Sequence, residues 1–518
     1  MKFVTDPDLS VKIARMKRRV CWQDRLISER AIDQTKLVID DADTDNPNFS
    51  FLVVGDSGCG SHLKYQPQRQ IAEMMLQQED YRFVMHTGDV VYQVGSSEYY
   101  QQNFIAPYRE FLVGGEKPKQ LEYNRLTFKK PFFLTPGNHD YYDLPLVYGI
   151  LSQATWLPRR LLRRHIDLDV GWHGSDCGDA YARAFLDYLA EYQGMGRLKK
   201  HLDDCYQGEH AGDRCLKYQP GKFTRLPNRY YTFRYGGIDF FALDSNTFNE
   251  PNAIPDTAEG ETTRKKLLVR QGKLKRREQE IQTALEILDE DNPEEADLID
   301  DYYAKLEHIA ESLRDIAKQL NQQQQTIDWE QLEWFKNSLI RSWQDDSVRG
   351  RVVFFHHPPY VTEKTKWHQG QTLAVRDRLR QVFDGVVAEL GTLPGDRSVV
   401  DLVLSGHAHC MEHLQTKDTG HADSYVNWIV CGGSGHSLRR QRQEGTVLYQ
   451  DADLESEPIG QSHLYVGRSG KRKNHKRPYS FLRIDVQAGK QPKFQVNPYV
   501  AEWHQRQWHE YAIAPFTI

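Results

Sequence analysis

Residues 51–58 read FLVVGDSG, an apolar run typical of a buried strand that leads directly into a turn carrying an aspartate. The same arrangement recurs four times, where the apolar runs FVMHT (83–87), FFLTP (132–136), RVVFF (351–355) and LVLS (402–405) each lead into a polar block. Helix-forming segments separate these runs along the chain. The pattern therefore predicts an α/β fold in which packed sheets form the core.

Five short blocks at the ends of these runs are rich in side chains that bind metal ions. They are GDSG (55–58), GDVVY (88–92), GNHD (137–140), FFHHPPY (354–360) and GHAH (406–409). In an α/β sheet, such loops converge at the carboxyl ends of the strands, where ligands bind. Oxygen and imidazole ligands suit a pair of di- or trivalent ions better than one thiolate-bound zinc. One block alone would be an ordinary turn, but five in order after strands indicate a metal site.

The ordered blocks resemble those of the calcineurin-like metallophosphoesterases, and specifically of the purple acid phosphatase branch. Most of the superfamily has a metal-binding histidine two residues after the first aspartate, where this chain has Gly58. The purple acid phosphatases instead supply a tyrosinate three residues after the second aspartate, where this chain has Tyr92. The flanking segments DWEQLEWF (328–335) and GHAHCMEHL (406–414) are similar to those of the small, mammalian-type enzymes.

This resemblance implies a fold and a set of metal ligands. The fold is a metallophosphoesterase-type ββ sandwich flanked by helices. The implied ligands are Asp56, Tyr92 and His409 for iron(III), Asn138, His356 and His407 for iron(II), zinc or manganese, and Asp89 as the bridge between the two ions. His356 is favoured over His357 because Val353 then stands three residues ahead and Pro358 two behind, as in the family pattern.

The implied activity is hydrolysis of phosphate esters, with metal-bound hydroxide attacking phosphorus in line. His139 and His368 would donate hydrogen bonds to the phosphate, and Asp140 would orient His139. A phosphomonoesterase resembling an acid phosphatase is the favoured function. A phosphodiesterase acting on nucleotides or phospholipid head groups is the alternative. A further alternative is an interaction protein that retains a vestigial metal site.

The domain organisation predicted from the sequence is an N-terminal extension, 1–48, followed by a metallophosphoesterase domain, 49–518. Two insertions interrupt this domain, at about 143–229 and about 250–327. The second has apolar residues at three- and four-residue spacing between Leu298 and Leu320, which predicts a helical hairpin. A solvated pair of helices that packs only on itself is favoured over an arm that binds a protein partner.

Composition restricts the remaining function classes. The 67 Lys and Arg residues against 72 Asp and Glu leave a net charge of −5, which argues against bulk binding to nucleic acid or anionic membranes. No apolar run reaches the length of a membrane span, and the first residues do not resemble a signal peptide. Seven thinly spread cysteines do not indicate a disulfide framework. These observations predict a cytoplasmic protein, and the resemblance implies that its partner is a small-molecule phosphate ester.

Three other clusters are weaker candidates for function. The histidines and cysteines of the first insertion suggest a structural zinc site only as a minority interpretation; they are His173, Cys177, His201, Cys205, His210 and Cys215. A basic cluster is interpreted as a solvated face and consists of Arg159, Arg160, Arg163 and Arg164. The glycine-rich segment CGGSGH (431–436) has no P-loop lysine and is interpreted as a tight turn that borders the cleft.

Overall fold

The computed structural model describes most of the chain. The described residues are 4–59, 65–144, 175–192, 194–210, 212–288, 293–321, 326–367, 369–450, 457–470, 475–505 and 507–518. His368, His173 and the four arginines of the basic cluster lie outside these ranges. Among the helices of the described ranges, none is long and apolar enough to cross a bilayer.

The strands and helices alternate along much of the chain, as the sequence predicts. The strands are β1 (Ile32–Ile39), β2 (Phe49–Val54), β3 (Tyr81–His86), β4 (Phe132–Leu134), β5 (Gly208–His210), β6 (Asp213–Tyr218), β7 (Tyr231–Tyr235), β8 (Ile238–Ala242), β9 (Gly350–Phe354), β10 (Leu402–Ser405), β11 (Met411–Thr416), β12 (Asn427–Cys431), β13 (Val447–Tyr449), β14 (Pro458–Val466), β15 (Arg477–Gln487), β16 (Lys493–His504), β17 (Gln507–Ala512) and β18 (Phe516–Thr517). The helices are α1 (Leu9–Arg19), α2 (Arg25–Ser28), α3 (Pro67–Leu76), α4 (Asn138–Tyr141), α5 (Asp179–Phe185), α6 (Met195–Cys205), α7 (Ala258–Leu285), α8 (Pro293–Asn321), α9 (Trp329–Gln344) and α10 (Gly370–Leu390).

These strands form two large sheets within the described residues. One has the order β13-β14-β11-β12-β10-β9-β8-β7-β1-β6-β5, and the other has the order β17-β16-β15-β2-β3-β4, with β18 paired to β16. Strand β1 comes from the segment before residue 49 and lies between β6 and β7. The segment predicted to be an N-terminal extension therefore supplies an interior strand of a sheet.

A layer of aromatic side chains fills the space between the two sheets. Phe51 and Phe83 stack in one sheet with 5.1 Å between ring centroids. Phe83 lies 5.4 Å from Phe240 of the opposite sheet, and Phe240 stacks on Phe233 at 4.8 Å. Large buried rings of this kind dominate the energetics of a core. The predicted α/β sandwich with flanking helices is confirmed.

Parallel pairing determines where the polar blocks meet. Strands β2, β3 and β4 are parallel neighbours in one sheet, and β8, β9, β10 and β12 are parallel neighbours in the other. Because parallel strands end at the same edge, the loops that follow them lie side by side. The two sheets thus present their carboxyl-terminal loops to one common region.

The predicted helical hairpin is also confirmed. It consists of α7 and α8, and Thr257 caps α7 by accepting a hydrogen bond from the amide of Gly260 at 3.1 Å. Ile309 and Ile316 of the predicted apolar positions are buried, and so is Ile281 of α7. An apolar stripe at helical spacing buries its side chains when a second helix packs along it.

Candidate metal centre

The loop backbones at the strand ends adopt an uncommon conformation. Asp56, Asp89, His407 and His409 have φ values of 52°, 56°, 66° and 46°, in the left-handed region. Each such residue costs about 1–3 kcal/mol, and such residues cluster at functional sites where the surrounding structure holds them in place. The four side chains are buried together at the meeting point of the two sheets.

Tyr92 lies at the centre of one half of the site. Its hydroxyl oxygen is 2.9 Å from Asp56 Oδ1, 2.8 Å from Asp89 Oδ2 and 3.2 Å from His409 Nε2. His409 Nδ1 is 3.0 Å from the carbonyl oxygen of Ser437, to which it donates, so Nε2 presents a lone pair. Three acceptor atoms and the phenol oxygen therefore share one phenolic proton. A cation would satisfy this set better than the single proton does.

A second group of possible metal ligands lies around His356. Its Nδ1 donates to the carbonyl oxygen of Thr87 at 2.8 Å, and its Nε2 lies 3.0 Å from Asn138 Oδ1 and 3.2 Å from Asp89 Oδ2. A backbone carbonyl that fixes the far nitrogen of a histidine is the usual arrangement around a metal ligand. Asp89 Oδ2 contacts both His356 and Tyr92, so this carboxylate joins the two halves of the site.

His357 has other partners. Its Nδ1 lies 2.8 Å from Ser245 Oγ, and its Nε2 lies 3.2 Å from Asn249 Nδ2. One of its ring nitrogens still lies close to those of His356 and His407. Both ring nitrogens of His357 therefore have hydrogen-bond partners outside the proposed ligand set.

Burial and mutual charge shift the titration of the site. Burial, and the charge of Asp89, raise the pKa of Asp56 to about 7 against the opposing effect of His356. Burial alone would lower the pKa of His356, but Asp89 and Asp56 raise it to about 9. Burial and the two aspartates hold the pKa of Tyr92 well above its usual range. The shifts arise because carboxylate, imidazole and phenol groups are buried against one another, and oxygen and nitrogen ligands of this kind suit a pair of ions.

The backbone excludes a histidine at position 58. A Cβ atom on Gly58 would lie 2.7 Å from the carbonyl oxygen of Val90 and 2.9 Å from Val91 Cα. Real side chains do not approach a backbone this closely, so the loop that carries Tyr92 occupies the space that a side chain at 58 would need. Tyr92 and Gly58 are therefore coupled by packing.

The structure changes the role predicted for Asp140. Its carboxylate accepts hydrogen bonds from the amides of Asp89, Val90 and Gly137 at 3.0, 3.2 and 2.8 Å. The ring of His139 is fixed instead by Gln93, whose carbonyl oxygen accepts from Nδ1 at 2.6 Å. The prediction that Asp140 orients His139 is therefore wrong; Asp140 shapes the loops that present Asp89.

The inserted hairpin contributes side chains to this site, which was not predicted from the sequence. Glu307 of α8 contacts His436 Nε2 at 2.9 Å and Arg439 Nη2 at 2.6 Å, and His436 stacks on the Tyr92 ring at 3.8 Å. Glu311 of the same helix contacts Lys366 at 2.6 Å. The interpretation of a solvated pair that packs only on itself is therefore wrong. Acidic residues at 307, 311 and 315, four residues apart, were the signal for this buried face.

The other clusters lie apart from the site or border it. His201 Nε2 contacts both carboxylate oxygens of Asp187 at 2.9 Å, and His201 Nδ1 lies 3.7 Å from Cys205 Sγ. Burial alone would lower the pKa of His201, but these two partners raise it to about 10. In the part of the chain that the structure describes, the groups able to hold a metal all lie at the strand-end site. The segment 431–436 borders that site through His436, as predicted.

The chain belongs to the calcineurin-like phosphoesterase family, whose sequence profile matches residues 49–411. No curated protein matches the sequence. Among solved structures, the fold is similar to GAP50, described as the anchor in the inner membrane complex of Plasmodium, with 11% identity over 90% of this chain and 89% of that chain and a TM-score of 0.33. It is also similar to PhoD, with 13% identity over 92% of this chain and 70% of that chain and a TM-score of 0.38.

Proposed function

We propose that this protein is a binuclear-metal phosphomonoesterase of the purple acid phosphatase type. The observation that carries the proposal is the position of Tyr92, whose hydroxyl lies within 3.2 Å of Asp56, Asp89 and His409. The packing at Gly58 leaves no room for the histidine that other members of the family use. The family membership supports hydrolysis of phosphoesters, and the position of Tyr92 supports the purple acid phosphatase branch.

The proposed ligands divide into two sets that share Asp89. Asp56, Tyr92 and His409 would hold iron(III), since a phenolate stabilises the harder ion. Asn138, His356 and His407 would hold iron(II), zinc or manganese. When bound, the two ions would supply Lewis acidity and lower the pKa of a water molecule that attacks phosphorus.

The protein side chains would orient the ester and handle its protons. His139 donates its Nδ1 proton to the carbonyl of Gln93, which fixes the ring. Among the described residues, its Nε2 has no hydrogen-bond partner, although the side chain is buried. A buried nitrogen without a partner is costly unless a ligand completes it. When protonated, Nε2 would donate to a phosphoryl oxygen or to the leaving alkoxide. His368 keeps the same predicted role.

We expect the metal-loaded protein to hydrolyse an aryl phosphate monoester faster than the matching diester. The expected difference in kcat/KM is about tenfold or more, because bound cations stabilise the greater negative charge of a monoester more strongly. Steady-state kinetics with both esters, at confirmed metal occupancy, measure the two kcat/KM values. Faster turnover of the diester would favour the phosphodiesterase alternative. A fully loaded site without turnover of either ester would favour an interaction protein.

We also expect a charge-transfer band in the visible spectrum of the iron-loaded, oxidised protein, and its loss in Tyr92→Phe. The band arises from a phenolate bound to iron(III), so removal of the hydroxyl removes its source. Tyr142→Phe is the matched control, because Tyr142 is also buried and its ring lies 4.9 Å from the His139 ring. Its hydrogen bond to the carbonyl oxygen of Asn138 uses the backbone amide, which the substitution keeps. This variant should keep the band. A wild-type protein with confirmed iron and no band would contradict the assignment to the purple acid phosphatase branch.

A further inference from the structure

Two buried ion pairs connect the inserted helix α8 to the metal centre. Lys366 Nζ lies 2.6 Å from Glu311 Oε2, and Arg439 Nη2 lies 2.6 Å from Glu307 Oε2. The side chains of all four residues are less than 10% exposed. Both carboxylates belong to the insertion, whereas both cations belong to the domain that carries the proposed ligands. The insertion thus neutralises two cations beside the site.

The Lys366 ammonium lies directly against one proposed ligand, and the backbone of Arg439 contacts another. Lys366 Nζ is 2.9 Å from His407 Nε2. The backbone amide of Arg439 donates to the carbonyl oxygen of His409 at 3.0 Å, and the carboxylate of Glu307 lies within 4.8 Å of a ring nitrogen of His409. Glu307 thus lies beside His409, and Glu311 is connected to His407 through Lys366, so both carboxylates border the proposed ligands.

Metal binding would release Lys366 from His407, whichever ring nitrogen of His407 binds the ion. If Nε2 is the ligand, the ammonium stands in the place of the metal and must leave. If Nδ1 is the ligand, Nε2 carries the ring proton and no longer accepts a hydrogen bond from the ammonium. In either case Lys366 keeps Glu311 but loses the acceptor on His407, and a phosphoryl oxygen is the strongest acceptor that a phosphate ester offers in its place.

We propose that Lys366 and Arg439 form the anion subsite that receives the phosphoryl group, and that Glu311 and Glu307 occupy this subsite when α8 is closed over it. The inference rests on the proposed hydrolase function and adds a basis for its specificity. A monoester dianion carries the same charge as the two carboxylates that it displaces, so the buried cations stay compensated. A diester carries one charge less and would leave one buried cation without a full partner, which is costly.

Isothermal titration calorimetry tests the proposal by measuring how tightly inorganic phosphate binds to the zinc-loaded protein. This measurement does not require turnover. Glu307→Gln/Glu311→Gln removes the competing charges, and we expect phosphate to bind about tenfold or more tightly. Lys366→Gln should weaken binding by a similar factor. Glu280→Gln is the matched control on helix α7, where the side chain is exposed and pairs with Arg277 of the same helix. This control should leave phosphate affinity unchanged.

The zinc content of each variant is measured by mass spectrometry, so that a change in phosphate affinity can be distinguished from a loss of metal. Dimethyl phosphate serves as the monoanionic probe and should bind the wild type more weakly than phosphate does. Unchanged or weaker phosphate binding in the folded, zinc-loaded double variant would overturn the proposal. Tighter phosphate binding without hydrolysis of any ester would retain the subsite and reject the hydrolase function.

A second measurement uses the wild type alone and does not depend on variants that fold. Because phosphate would displace both carboxylates, amide hydrogen exchange in α8 should increase when phosphate saturates the zinc-loaded protein. Exchange in α9, which packs elsewhere on the core, should stay the same. Unchanged or slower exchange in α8 at saturating phosphate would show that the helix does not yield to the anion, and this result would overturn the proposal.

Discussion

Asp89→Asn is expected to lose most of its bound metal and to lower kcat/KM by more than about 100-fold, since even partners one step removed from a metal cost 10–100-fold. Asp89 Oδ2 contacts both Tyr92 and His356, and Oδ1 accepts from the amide of His139 at 2.8 Å. An asparagine keeps the shape but removes the charge that would join two ions. Metal analysis and turnover of an aryl phosphate provide the two measurements.

Asp80→Asn is a matched control for this substitution. Asp80 is exposed and has a φ of 55°, against 56° for Asp89, so both substitutions place asparagine in the same left-handed conformation. The control should keep normal metal content and turnover. If Asp89→Asn also kept both, Asp89 could not be the bridge between the ions.

The second large effect is expected for Arg229→Met, which should lower the free energy of unfolding. Arg229 forms buried ion pairs with Asp244 and Asp328, and its Nη1 also contacts Thr247 Oγ1 at 3.0 Å. Methionine would leave two buried carboxylates without their cation, which costs about 3–5 kcal/mol. Tyr141, next to Asp140, donates to Asp244 at 2.7 Å, so the loss should also loosen the site. Chemical denaturation measures the change in the free energy of unfolding.

Arg25→Met provides the comparison for an exposed pair. Arg25 contacts Glu29 within one turn of helix, and its side chain is 87% exposed. Solvent-exposed pairs contribute little, so this variant should unfold at the same denaturant concentration as the wild type. Equal destabilisation by the two substitutions would show that the buried cluster around Arg229 does not hold the core together.

Much of the candidate site was predictable because its signals are local. Each proposed metal ligand follows an apolar run within a few residues, and parallel strands bring such loops to one edge of a sheet. The structure accordingly places Asp56, Asp89 and Tyr92 in contact, with His356 beside them. Their role as metal ligands stays a prediction. The partner of His139 could not be predicted, because the carbonyl of Gln93 has no side-chain signature.

The sequence by itself determined the α/β core, the order of the polar blocks and the helical hairpin, since strand alternation, turn residues and helical spacing are properties of neighbouring residues. Only the tertiary structure decided that β1 lies between β6 and β7, and that Glu307 and Glu311 face the candidate metal centre. The physical reason is that a helix with an apolar stripe and an acidic stripe can pack by either face. The choice is made by cations such as Lys366 and Arg439, which lie 55 and 132 residues away from their partners along the chain.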